Sequence, residues 1–138
     1  MSELHEEDLA AEEVIKAALS ARERSVAPFS NFLVGAAVRT DEGKIFTGCN
    51  IESASYGLTV CAERVAIWKA LSEGEHNFTN LAVAADTETL TPPCGTCRQI
   101  IWEFCGDIPV YLVNFQGGEK TYHMADLFPA PFDDRQLS

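Results

Sequence analysis

Long hydrophobic runs are missing from this sequence: apolar stretches such as Leu81 to Ala85 stop after a few residues, against the roughly 20 that a membrane-crossing helix requires. No membrane span is expected. Positive charge is also scarce, with 10 Lys plus Arg against 21 Asp plus Glu and a formal charge of −11. Without a basic stretch to follow a phosphate backbone, nucleic acid is not an expected partner. The three histidines, His5, His76 and His123, have no ligand spacing and read as surface residues. No internal repeat, linker or low-complexity segment interrupts the chain. The N-terminus is acidic where a targeting peptide would be basic and then apolar, so the protein reads as cytoplasmic.

What is present is a core. With 138 residues, 46% of them hydrophobic, the chain has the length and apolar content of one domain spanning 1–138. Six of the acids fall in the first 13 residues, and residues 1–8 read as a flexible acidic extension. From Asp8, Leu9, Val14, Ile15, Ala18 and Leu19 recur at helical spacing. Phe32 to Thr40 and Ile45 to Ile51 are β-prone runs joined by the turn-forming Asp41-Glu42-Gly43-Lys44, which predicts a hairpin. Cys61 to Ser72 is apolar nearly all round and reads as a buried helix, with Trp68 packed inside. Leu81 to Ala85 reads as a strand covered on both faces. Cys94 to Cys105 is a second apolar helix carrying Trp102, Pro109 to Asn114 a further strand, Lys120 to His123 an edge strand, and Met124 to Phe128 a helical turn. This order predicts a three-layer α/β architecture, helices on both faces of one sheet.

Five cysteines are an odd number, and without a secretory context they favour metal or catalytic use over a disulfide framework. Two clusters open the predicted buried helices: Cys61-Ala62-Glu63-Arg64 and Pro93-Cys94-Gly95-Thr96-Cys97-Arg98. If parallel neighbouring strands feed those helices, both N-termini emerge at one sheet edge and the three thiols meet. Three thiolates suit Zn²⁺ and leave one tetrahedral position for water, the coordination of a catalytic site. Zinc nucleobase deaminases use this arrangement, with a non-ligand Glu two residues after the first ligand and a Pro-Cys-x-x-Cys element. Three thiolates on Zn²⁺ carry net negative charge, which opposes ionisation of water there. The helix N-termini and Arg64 or Arg98 are candidates to withdraw that charge, Arg64 preferred. Cys49 and Cys105 read as small core residues.

The chain resembles the small three-cysteine cytidine deaminases. The matching stretches are Pro28-Phe29-Ser30-Asn31-Phe32-Leu33-Val34-Gly35-Ala36-Ala37, Gly48-Cys49-Asn50-Ile51-Glu52-Ser53-Ala54-Ser55-Tyr56, the two cysteine clusters through Gln99, and Leu127-Phe128-Pro129-Ala130-Pro131-Phe132. The resemblance implies a three-layer α/β/α fold with a mixed five-stranded sheet, and hydrolytic deamination of cytidine and 2′-deoxycytidine. It implies one zinc per subunit on Cys61, Cys94 and Cys97, and Glu63 as the proton shuttle. It places Asn50 and Glu52 on the ribose hydroxyls, Phe32 on the pyrimidine and Ala62 among the substrate contacts. It also implies a homotetramer with sites near subunit boundaries, where Tyr56 and Phe132 complete a neighbour's pocket. The sequence departs from the family pattern at Phe29, Ser53 and Gly57 to Val60; the last run is expected to border the base and so bears on substrate scope.

The residues support several of these roles on chemical grounds. One carboxylate, Glu63, suffices to take a proton from water, deliver it to N3 and then protonate the departing amine. Asn50 and Glu52 alternate at a strand end, which points both side chains to one side, suited to a diol. Free cytosine, lacking the sugar, is expected to react poorly, and the acidic balance favours nucleosides over nucleotides. Three other readings compete: an aminohydrolase acting on blasticidin S or a modified cytosine nucleoside, a thioredoxin-like dithiol at Cys94 and Cys97, and a structural zinc module. The dithiol reading gives Cys61 and Glu63 no role, and a structural module normally wants four protein ligands.

Overall fold

The computed structural model describes residues 3–137, with side chains from Glu6 onward. Helix α1 spans Glu3–Ala21, so the acidic stretch expected to be a flexible extension is helical from Glu3 and the helix starts ahead of Asp8. A hairpin follows, β1 (Val34–Thr40) and β2 (Ile45–Cys49), then α2 (Ala62–Ser72), β3 (Phe78–Ala85), α3 (Gly95–Cys105), β4 (Pro109–Val113), β5 (Glu119–His123) and the short α4 (Met124–Leu127). The five strands form one mixed sheet in the order β2-β1-β3-β4-β5.

Register explains where the helices point. Strand β1 runs antiparallel to both β2 and β3, and β3 runs parallel to β4. The strands leading into α2 and α3 therefore share a direction, as expected, but they are not neighbours, because β1 lies between them. Both helix N-termini still open at the carboxyl edge of their strands, the edge where α/β sheets build their sites.

The two sheet faces are sorted by side-chain size. Toward α1 they present Ala37, Ala82, Ala84 and Val113, packed on Val14 and Ala18. Toward α2, α3 and α4 they present Val34, Ala36, Val38, Leu81, Val83, Val110 and Leu112, packed on Ala66, Ile67, Ile101 and Met124. Seven of the eight β3 residues are buried, which accounts for its continuous apolar run. Edge strand β5 is mostly exposed. Helix α2 buries one face, through Ala62, Glu63, Ala66, Ile67 and Ala70, while Trp68 and Lys69 face outward. The expectation of burial all round is thus corrected, as is that of a buried Trp68. Its indole lies beneath the Arg64 guanidinium, 5.7 Å from the ring centre.

Two glycines set how closely helices approach the sheet. A Cβ on Gly35 would lie 2.1 Å from the Ala18 carbonyl oxygen of α1, and one on Gly48 would lie 2.3 Å from Ala62 O and 2.5 Å from Ala66 N of α2. Backbone cannot yield there without lifting the helix off the strand. Gly48→Ala is expected to destabilise the fold by about 3 kcal/mol, lowering Tm by roughly 10 °C in a thermal melt. It also moves the start of α2, on which the candidate site depends.

Candidate functional site

The cysteine clusters sit on helix starts, and the chain geometry there explains the convergence. Cys61 is the N-cap of α2 and Cys94 that of α3, each in extended conformation and without a side-chain capping bond to the helix. Cys97 is the third residue of α3. N-cap and N3 are the positions whose side chains meet in a capping box, so the Cys-x-x-Cys spacing brings two sulfurs together within one turn. The third sulfur comes from α2. The three sulfurs lie within 4.8 Å of one another, with Cys61 Sγ 3.9 Å from Cys94 Sγ. Both helices direct unsatisfied N–H groups and partial positive charge toward this point.

The surrounding charges favour a thiolate. The adjoining Cys97 thiol, followed by the Arg64 guanidinium and Cys94, holds Cys61 well below the usual thiol range. Cys97, fully buried, is pushed up by its bond to Cys61 and by desolvation. Arg64 donates through one terminal nitrogen to Cys61 Sγ at 3.6 Å and to Thr59 O at 3.4 Å. Arg98 points elsewhere: its Nε donates to Pro93 O at 2.8 Å and its Nη1 to Leu127 O at 2.7 Å, a strut between the backbone just before Cys94 and α4. It therefore leaves the thiolates to Arg64.

Glu63, one residue into α2 from Ala62, is 4% exposed. Burial, reinforced by the negative charge of Cys61, raises its carboxyl from 4.5 to about 7. A carboxyl poised there exchanges protons in either direction near neutral pH. Ala62 is fully buried beside it.

A second cluster of residues lies on the loops before α2. Ile51 and Val60 exchange backbone bonds, both 2.9 Å, so the Asn50–Glu52 segment runs beside the approach to Cys61. Asn50 Oδ1 accepts from Val34 N at 2.9 Å, and its Nδ2 donates to Phe32 O at 2.6 Å. Glu52 Oε1 accepts from Phe29 N at 2.9 Å and Ser30 N at 3.1 Å, while Oε2 accepts from the Ser30 hydroxyl. Asn50 and Glu52 thus clamp the Phe29–Val34 loop, a task that sequence reasoning did not assign to them. A cleft of about 370 Å³ opens here, lined by Phe29, Ser30, Glu52, Tyr56 and Thr59. A larger one, about 860 Å³, lies away from the cysteines against Glu6, Arg39, Asn80, Tyr111 and His123. His5 has its side chain outside the described residues.

The aromatic residues expected at the substrate are at the surface. Phe32 is 41% exposed, Phe132 58% and Tyr56 76%, with Tyr56 packed edge-on against Phe29 at 6.1 Å. The C-terminal segment carrying Phe132 is tied to α3: Gln99 Nε2 donates to Phe132 O at 2.9 Å, and Trp102 Nε1 to Asp133 Oδ2 at 3.1 Å. Cys105 packs against the core, burial pushing its thiol up to about 12, while Cys49 Sγ donates to Arg24 O at 3.4 Å.

Three thiols and a buried carboxyl gathered at two helix starts, on the edge of an α/β/α sheet, define a zinc-thiolate metalloenzyme. The donor set fits zinc: soft ligands, one already thiolate-prone, and a cation beside them to balance charge. Residues 9–113 match the cytidine and deoxycytidylate deaminase zinc-binding region, and the chain belongs to that family. It is 48% identical over 128 residues to a cytidine deaminase of Sporosarcina psychrophila, covering 92% of this chain and 94% of the relative. A blasticidin-S deaminase of Bacillus cereus is 31% identical over 107 residues, covering 72% and 76%. Among solved structures, cytidine deaminase of Burkholderia pseudomallei superposes with a TM-score of 0.85 at 45% identity, covering 88% of this chain and 98% of that one. The Mycobacterium tuberculosis cytidine deaminase gives 0.76 at 33% identity, covering 88% and 96%. No helix among the described residues is long and apolar enough to cross a membrane.

Proposed function

We propose that this chain hydrolyses cytidine and 2′-deoxycytidine to uridine and 2′-deoxyuridine, water replacing the 4-amino group, which leaves as ammonia. The observation that carries this reading is the buried carboxyl of Glu63 in the first turn of α2, two residues after Cys61 and beside three converging thiols. Cys61, Cys94 and Cys97 hold the zinc, which when bound supplies a Lewis acid that activates water toward C4. Glu63 takes the proton released from that water and carries it to N3 of the ring, then takes the proton of the new C4 hydroxyl and passes it to the leaving nitrogen as the C4 carbonyl forms. Arg64 offsets the excess negative charge of the sulfurs. Asn50 and Glu52, held by the Phe29–Val34 loop, receive the sugar, and Phe32 covers the pyrimidine.

The exposed rings of Phe32, Tyr56 and Phe132 support a further element of this reading. A homotetramer would bury them, with Tyr56 and Phe132 finishing the pocket of a neighbouring subunit. The five unpaired cysteines agree with work in the reducing cytoplasm.

The zinc-loaded protein is expected to decrease the ultraviolet absorbance of cytidine and 2′-deoxycytidine while leaving free cytosine almost untouched. Turnover of neither nucleoside would overturn the reading. Turnover of blasticidin S alone would shift the assignment to that substrate.

A further inference from the structure

The loop facing Glu52 carries a hydroxyl whose direction is fixed from both sides. Phe32 N donates to Ser30 Oγ at 3.0 Å. That bond occupies the oxygen as an acceptor and leaves the Ser30 proton to go to Glu52 Oε2. The turn that permits this bends at Asn31, in the left-handed region with φ 57°, a conformation asparagine tolerates better than most side chains. On the carboxylate, Oε1 already accepts two backbone N–H groups, from Phe29 and Ser30. Oε2 accepts only the Ser30 hydroxyl among the described residues. A carboxylate offers about four acceptor positions, so one remains on Oε2, and Glu52 lines the cleft it forms with Phe29, Ser30, Tyr56 and Thr59.

From this geometry we infer that Ser30 is a positioning residue for sugar recognition: its hydroxyl orients Glu52 so that one carboxylate oxygen presents a single acceptor to a nucleoside hydroxyl. The inference rests on the nucleoside reading above. Ser30 is the one side-chain donor on Glu52 among the described residues, whereas the other two donors are backbone and survive substitution. Without it, Glu52 keeps its anchor at Oε1 but Oε2 is free to swing or to take up water. The bond also favours the ionised carboxylate, since Glu52 lies below the usual carboxylate range with the Ser30 hydroxyl as the leading cause. An ionised acceptor suits a sugar hydroxyl, which donates, and its hydrogen bonds are roughly twice as strong as neutral ones.

The test compares cytidine with 2′,3′-dideoxycytidine, which carries the same base without the hydroxyls at issue. Ser30→Ala is expected to raise KM for cytidine about tenfold with kcat within about twofold, and to leave kcat/KM for dideoxycytidine within about twofold of the unaltered enzyme. Ser30→Thr, which keeps the hydroxyl, is expected to restore the cytidine KM. A merely structural role for Ser30 would depress both substrates together, and that result overturns the inference. So does an unchanged cytidine KM in Ser30→Ala. Should the alanine variant fail to fold, Ser30→Cys replaces the hydroxyl by a weak donor. An intermediate KM confined to cytidine supports the inference, and a KM equal to that of the unaltered enzyme overturns it. If the unaltered enzyme does not deaminate cytidine at all, the proposed function falls. If it does and Ser30→Ala behaves identically, only the role of Ser30 falls.

Discussion

Glu63→Gln is expected to keep zinc at one ion per chain while losing turnover by about 10⁴-fold, since the amide can neither accept the proton from water nor deliver it to the ring. Metal analysis beside the ultraviolet assay reads both quantities, and an active Glu63→Gln enzyme would end the mechanism proposed for this site. The same substitution has an opposite effect on stability. Burial raises the folded carboxyl from 4.5 to about 7. The unfolded chain therefore sheds this proton first, and the metal-free fold loses stability as the pH climbs between those values. Above the window the deficit is about 3 kcal/mol. The glutamine variant carries none, so at pH 8 its metal-free form is expected to melt higher than the unaltered protein, the two converging at pH 4. A chain held together by a functional carboxyl would show the reverse order.

Cys97→Ser is the second large effect. The sulfur is fully buried, the hydroxyl that replaces it does not ionise near neutral pH, and the cluster falls from three soft donors to two. Zinc affinity is expected to drop by more than the roughly 10–100-fold that altering an outer partner of a ligand costs. A chelator titration followed by zinc release reads the loss, and turnover should disappear with the metal. Cys105→Ser, remote from the sulfurs, leaves zinc in place and serves as the control. Equal zinc retention in the two variants would remove Cys97 from the ligand set.

Much of the architecture was legible because local chemistry and global packing agree. Asp41 to Lys44 turn the hairpin where turn residues predict, the continuous apolar run through Leu81 to Ala85 is the buried strand, and Lys120 to His123 fall on the edge. The two helices starting at cysteines were visible too, since motif and periodicity change at the same residues. What failed depended on pairing. Intervention of β1 between the strands that feed α2 and α3 is a matter of sheet order, and nothing local encodes it. Trp68 reads as core by hydrophobicity, yet it is accommodated outside by the cation above it. Arg98 follows Cys97 and so invites a role beside the sulfurs, but its partners are Pro93 and, 29 residues on, Leu127. Ser30 carries no role in the sequence alone, and its partner appears only when Glu52, 22 residues later, is seen to accept its hydroxyl proton. In the candidate site, residue types announced the sulfur chemistry, whereas the second tier of partners emerged only when distant segments met.

The sulfurs of the two N-cap residues stand 33 residues apart in the chain, and that separation gives the ion an architectural consequence. A zinc ion held by both would close a covalent-like circuit through α2, β3 and the following loop, much as a cross-link does. Loops of that length, when tied, typically forfeit about 3–4 kcal/mol of unfolded-state freedom. With the ion on these sulfurs, loading the metal and fastening the interior of the molecule would be a single event, and a cell short of zinc would hold a looser protein as well as an idle one.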